Sequence, residues 1–225
     1  MTRSVLFDTE TTGLEPHLGH RMVEIAALEL VNDIPTGKHF HCLIDPERDI
    51  PDDATRIHGF TLQHLQGQPC FAEIVDELID FLGDGQLIAH NAPFDFGFLD
   101  AELALLGRPG LDPSRMVDTL ALAKLRFPGL PNSLDALCRR FGIDLSARST
   151  HNALLDCRLL AEVYVELTGG RQPGLSLTVM RPDALPATSY APVGARAPRV
   201  LVPTEAELAA HAAFLAVIRE PLWNR

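Results

Sequence analysis

Apolar residues run in short blocks over the first fifth of the chain and then change to helical spacing. Residues 4–8, 22–31 and 39–44 read as strands, with Asn32-Asp33 and Pro35-Thr36-Gly37 supplying turn chemistry, so an antiparallel meander is expected at the start. Ile57 to Leu65 is a short candidate helix. Phe71, Ile74, Val75, Leu78, Ile79 and Leu82 form one stripe, which predicts a helix over 71–82 closed by Gly83. Gln86 to His90 is the next strand, and a polar turn, His90-Asn91-Ala92-Pro93, leads into a helix from about Phe94 to Leu106. Met116 to Asp118 is a further short strand. Helices are then expected from Thr119 to Arg126 with Asp118 as cap, through Phe141 with Asn132 or Ser133 as cap, and from about Asn152 to Leu167. Strands first, then strands alternating with helices, imply one mixed five-stranded sheet with helices packed on it, an α/β class.

The pattern dissolves after Thr168. Residues 169–203 hold six of the 17 prolines and no sustained periodicity, which reads as a flexible linker. Thr204-Glu205-Ala206-Glu207 is a capping box that opens a helix to about Arg219, with Leu208, Ala212, Leu215, Ile218 and Leu222 as a seam. The expected organisation is a domain over 1–168, a Pro-rich linker over 169–203 and a C-terminal segment, 204–225, that is too short to be stable unless it docks.

Charge and cysteine usage narrow the function. The net charge is -11; the first 168 residues carry 13 Lys and Arg against 26 Asp and Glu, and the rest carry 6 against 4. So acidic a body does not grip a polynucleotide through phosphate neutralisation alone. No apolar run approaches the roughly 20 residues of a membrane span. The start, Met1-Thr2-Arg3-Ser4, passes straight into a strand and leaves no room for a targeting peptide, which points to a cytoplasmic address. Cys42, Cys70, Cys138 and Cys157 are widely spaced among apolar neighbours, so neither disulfides nor structural zinc is expected.

The chemistry lies in a few acids. Asp8 and Glu10 sit two apart on a strand, so alternation points both carboxylates to the same face. Two such charges repel and raise a pKa unless a cation separates them, and oxygen ligands suit Mg²⁺ or Mn²⁺. Asp95 lies in the first turn of a helix that follows a buried strand, where it can point back toward that pair. Asp156 lies one turn inside the last long helix, with His151 just before it. Singly, each has a bland reading as a solvated edge, a turn or a cap. Together they do not, because a fold gains nothing by collecting four carboxylates without a cation to offset them. Asp118 and His90 read instead as a cap and a bracing residue.

The segments Asp8-Thr-Glu10-Thr-Thr-Gly, His90-Asn-Ala-Pro-Phe-Asp95 and His151-Asn-Ala-Leu-Leu-Asp156 resemble, in order and spacing, the three motifs of the DEDDh family of 3′–5′ exonucleases. The similarity is closest to its proofreading branch, the nuclease subunits of bacterial replicative polymerases. It is echoed by Asn132-Ser-Leu-Asp-Ala-Leu-Cys138 and covers residues 4–170. The resemblance implies a ribonuclease H-like fold and two divalent metal ions, Mg²⁺ or Mn²⁺, held by Asp8, Glu10, Asp95 and Asp156. It makes His151 the general base that takes a proton from the attacking water, with release of the 3′-terminal nucleotide as a 5′-monophosphate. It also implies substrate contacts from Thr9, Asp53 and His58 besides Asp8, Glu10 and Asp156; at Asp53 the family pattern has a longer glutamate. Phe94 could stack on a base, though burial is the plainer expectation.

The tail resembles the family as well. In the proofreading branch this region binds the polymerase subunit, which assigns 204–225 to docking, and Gln172 to Leu177 is similar to short glutamine-leucine peptides that engage a sliding clamp. The implied substrate is a DNA 3′ end, single-stranded or frayed, at a nucleoid-associated replisome. The alternatives are a free-standing exoribonuclease or repair exonuclease with the same site, and a non-catalytic bridge between clamp and polymerase.

Overall fold

A computed structural model describes residues 2–146, 148, 151–169 and 202–218, and the chain divides into two units, Met1–Leu175 and Ser176–Arg225. The first unit is built on a five-stranded sheet: β1 (Arg3–Thr11), β2 (Met22–Val31), β3 (Ile34–Leu43), β4 (Gln86–Ala89) and β5 (Met116–Asp118). Their order is β3-β2-β1-β4-β5, with β1-β2 and β2-β3 antiparallel and β1-β4 and β4-β5 parallel. The expected mixed sheet, a meander followed by parallel strands, is what forms.

Helices cover both faces. α1 (Asp52–His58), α2 (Leu62–Leu65), α3 (Phe71–Leu82) and α4 (Ala92–Leu105) precede β5, and α5 (Thr119–Arg126), α6 (Leu134–Phe141) and α7 (Ala153–Thr168) follow it. Strand alternation sorts β1 between two cores. Val5 and Phe7 pack with Phe71, Val75 and Leu78 of α3 and Phe98 and Leu99 of α4, while Leu6 packs with Leu137 of α6 and Cys157 and Leu160 of α7. Each sheet face is therefore apolar up to the point where β1 reaches its acids.

Most boundaries fall within two residues of the expected ones, and two differ for local reasons. The candidate helix Ile57 to Leu65 is broken into α1 and α2, because Gly59 caps α1 with φ at 81°, a left-handed conformation that ends the helix. Pro35-Thr36-Gly37 lies inside β3 rather than in a turn. The hairpin is made by Asn32 and Asp33 alone, both at positive φ as a two-residue turn of the primed type demands.

The second unit contains α8 (Glu205–Val217), shorter than expected at its C-terminal end. Thr204 and Glu207 close the capping box on each other, and none of the residues in α8 is buried. The linker and the Gln172 to Leu177 peptide lie almost wholly outside the described residues. No helix among the described residues is long and apolar enough to cross a membrane.

Candidate active site

Three elements deliver the acids. β1 carries Asp8 and Glu10 at its C-terminal end, where the following turn is tight enough that a Cβ on Gly13 would lie 2.4 Å from the His20 ring. α4 delivers Asp95, and its entry is fixed by Asp118, whose Oδ1 accepts the N–H groups of Asn91, Ala92 and Leu120 at 3.0, 3.3 and 3.0 Å. Asn91 turns the chain with φ at 69°. This gives Asp118 the capping role read from the sequence; His90 braces the same turn through its Nδ1, 2.9 Å from Thr119 Oγ1.

Asp95 is 2% exposed, and its Oδ1 accepts both the N–H (3.0 Å) and the hydroxyl (2.7 Å) of Thr9. Thr9 points to the opposite sheet face from Asp8 and Glu10, so it reaches α4 while they face α7. Asp156 is buried on α7, which Asn152 caps by accepting the Leu155 N–H. His151 is half-exposed, with its N–H on the carbonyl of Ile57 and its Nδ1 3.5 Å from Asp156 Oδ2. Ligand atoms of Glu10, His151 and Asp156 all lie within 4.8 Å of one another.

The electrostatics show that the acids share one field. Burial pushes the Asp8 carboxyl well above its ordinary range, and the charges of Asp95, Glu10 and Asp156 push it further. Glu10 is raised to about 8, by burial first and then by Glu24, Asp156 and Asp95. Asp95 is raised to about 7 by burial, against the lowering effect of its Thr9 hydrogen bonds. Asp156 alone is lowered: burial raises it, but bonds from Arg148 and His151 outweigh burial. Asp8, Glu10 and Asp95, which resist ionisation in one buried site, have the oxygen-donor chemistry of a hard divalent cation site, with the His151 ring near Glu10 and Asp156.

Two residues here were not singled out from the sequence. Glu24, fully buried opposite Glu10 on β2, accepts from His41 Nε2 (2.7 Å), Asn152 Nδ2 (2.9 Å) and the Ala153 N–H (3.0 Å), and so ties α7 to the sheet. A glutamate inside the apolar run of β2 was the available signal. Arg148 forks onto Asp156 through Nε (2.6 Å) and Nη2 (2.7 Å), and no periodicity marks it.

Beside the acids lies a cleft of about 440 Å³ lined by Thr9, Glu10, Asp53, His58 and Phe94, among others. Phe94 is half-buried: it packs on Phe98 at 5.0 Å and also faces this cleft. His58 is buried and stacked on Phe60. Its Nδ1 accepts the Phe60 N–H at 3.0 Å, so the ring proton sits on Nε2, a buried donor that lies beside the Thr11 backbone and has no partner at full hydrogen-bond geometry among the described residues. Burial lowers its pKa. A larger groove of about 940 Å³, near Asn32, Phe141 and Glu162, contains none of these acids.

Four carboxylates and a histidine at the C-terminal end of β1, on a sheet of this order, define a DEDDh-type nuclease with a ribonuclease H-like fold. The exonuclease family model, RNase_T, matches residues 5–164. The chain is 48% identical over 221 residues to DNA polymerase III subunit epsilon of Rickettsia felis, covering 96% of each, and 40% identical over 232 residues to that of Escherichia coli K12, covering 98% of this chain and 95% of the relative. Among solved structures, Exonuclease X in complex with 5′ overhanging duplex DNA superposes with a TM-score of 0.59 at 26% identity, over 75% of this chain and 91% of that one. The nuclease domain of 3′hExo, a DEDDh family member bound to rAMP, shares the fold with a TM-score of 0.62 at 18% identity, over 73% and 90%. The chain belongs to the exonuclease family, in the branch of the DNA polymerase III epsilon subunits, and its activity is that of a proofreading 3′–5′ exonuclease. That family generally works with divalent metal ions.

Proposed function

We propose that the chain removes mismatched 3′-terminal nucleotides from DNA as 5′-monophosphates, with Asp8, Glu10, Asp95 and Asp156 holding two divalent ions, Mg²⁺ or Mn²⁺, and His151 as general base. The observation that carries this reading is the meeting of Glu10, His151 and Asp156, whose ligand atoms lie within 4.8 Å of one another, beside an Asp8 carboxyl that burial and the charges of Asp95, Glu10 and Asp156 raise. Bound ions would clamp the scissile phosphate and acidify a water. His151 is half-exposed at the rim, where it can take a proton from the attacking water, and Asp156 beside it stabilises the imidazolium.

The adjoining cleft fits the terminal nucleotide. His58 offers Nε2–H to an oxygen acceptor there, and Thr9, Asp53 and Glu10 line the same space. Phe94 offers part of a ring face to a base.

Residues 1–168 then form the exonuclease domain, 169–203 the tether and 204–225 the segment that docks on the replicative polymerase. The exposed apolar side chains Leu208 and Phe214, on a helix too short to persist alone, support docking. A tether raises the local concentration of an acidic nuclease at the primer end, which compensates for its weak electrostatic grip. Gln172 to Leu177 is the segment proposed for the sliding clamp, and the setting is the cytoplasmic, nucleoid-associated replisome.

The decisive experiment supplies full-length protein with Mg²⁺ or Mn²⁺ and a primer with a mismatched 3′ terminus, beside a matching RNA strand. Release of mononucleotides from DNA, abolished by Asp8→Asn and dependent on the ion, is expected. No release, or release from RNA alone, overturns the reading. Deleting 169–225 should leave single-strand digestion intact and abolish capture by the polymerase subunit; capture that survives removes the docking assignment.

A further inference from the structure

Arg148 is 10% exposed and joins the active site to α6 through its guanidinium. Nε and Nη2 reach the two carboxylate oxygens of Asp156 at 2.6 and 2.7 Å, Nη1 bonds Asp135 on α6, and Nη2 also donates to His151 Nδ1 at 3.0 Å. One cation thus holds a proposed metal ligand and the proposed base at once. The parallel fork takes one lone pair on each Asp156 oxygen with strong charge-assisted bonds, and its positive charge opposes a divalent ion at the same carboxylate. The Nδ1 that accepts from Arg148 lies 3.5 Å from Asp156 Oδ2, so while the fork is in place this nitrogen is turned to the guanidinium as well as to the carboxylate.

We propose that Arg148 and a divalent ion exchange at Asp156: the guanidinium is the site's own counterion, and ion entry displaces it from both Asp156 and His151, leaving it anchored on Asp135. This deepens the metal reading above and rests on it. Arg148 is therefore a positioning residue that regulates loading of the site. A purely supporting Arg148, one that aims Asp156 at the ion, has the opposite signature: its removal weakens ion binding, whereas removal of a competitor strengthens it.

The test is Mn²⁺ binding to the full chain by calorimetry and by electron paramagnetic resonance of free Mn²⁺, for the wild type, Arg148→Gln and Arg148→Lys at one pH. Loss of one competing charge-assisted pair is expected to tighten Mn²⁺ binding roughly tenfold in Arg148→Gln. Arg148→Lys, with a point charge in place of a fork, should fall between the two. Without divalent ion Arg148→Gln should melt below the wild type, and with saturating Mn²⁺ the gap should close. Unchanged or weaker Mn²⁺ binding by the variants overturns the exchange, and Arg148→Lys alone decides it if Arg148→Gln does not fold. Absence of Mn²⁺ binding by the wild type would instead overturn the metal reading, and the exchange with it.

Discussion

Thr9 holds Asp95 by two hydrogen bonds to one oxygen, from its amide at 3.0 Å and its hydroxyl at 2.7 Å. The residue between the two strand acids thereby fixes the third acid from the opposite face of the sheet. Thr9→Val keeps the shape and the amide bond but removes the hydroxyl. A hydrogen bond to a charged group contributes about 1.5–3 kcal/mol, so Mn²⁺ affinity and turnover should fall roughly 10- to 100-fold. Titration calorimetry and a primer-degradation assay measure this, and an unaffected Thr9→Val would show that Asp95 needs no such anchor.

His151 bears on chemistry rather than on ion capture. His151→Ala should lower kcat by about 10²- to 10⁴-fold, the range for loss of a general base, while Mn²⁺ binding changes little. If ion binding collapses along with turnover, His151 acts as a ligand with Glu10 and Asp156, whose donor atoms it approaches within 4.8 Å.

The raised carboxyl groups set a pH dependence of stability. In the fold burial raises Glu10 to about 8 and Asp95 to about 7, from ordinary values of 4.5 and 3.8. Between those limits the folded chain holds more protons than the unfolded one, so stability falls as pH rises through that window. Asp156, with its lowered pKa, works in the other direction and loses its contribution only as pH drops below the ordinary carboxylate range. Melting temperatures measured in chelator should therefore decline from pH 5 to pH 8. Saturating Mn²⁺ should flatten that decline and release protons on binding at pH 6.5. A flat profile in chelator, with no proton release, would contradict the shared-field description of the site.

Glu24 accepts three hydrogen bonds at 0% exposure and joins β2 to β3 and to the start of α7. Glu24→Gln leaves a buried amide facing donors, at a cost of about 1–3 kcal/mol. Thermal denaturation should register the loss, and kcat should fall more than KM rises, because α7 carries Asp156 and His151 stands two residues before its start. An equal effect on stability with no change in kcat would confine Glu24 to holding the sheet and helix together.

The sequence was informative where a local rule applied. Period-two alternation placed Asp8 and Glu10 on one face, the bounds of the stripe from Phe71 to Leu82 are those of α3, Thr204 caps its helix as expected, and of the two caps expected before Phe141 it is Ser133 that serves. It was less informative at Ile57 to Leu65, where a glycine in a left-handed conformation divided one apolar stretch into two helices.

The approach of Glu10, His151 and Asp156 to within 4.8 Å was also written in the chain, because strand ends and first helical turns are positions that local pattern fixes. How they are held was not. Thr9 on Asp95, Glu24 on the start of α7 and Arg148 on Asp156 each join residues 8 to 129 positions apart. Such contacts depend on which side chains the closed sheet and its helices bring within about 3 Å, a distance that periodicity along one segment does not encode. The residue types were thus decided by the sequence, and their charge states by burial in the tertiary structure, since only low-dielectric packing makes neighbouring carboxylates compete for protons or for a cation.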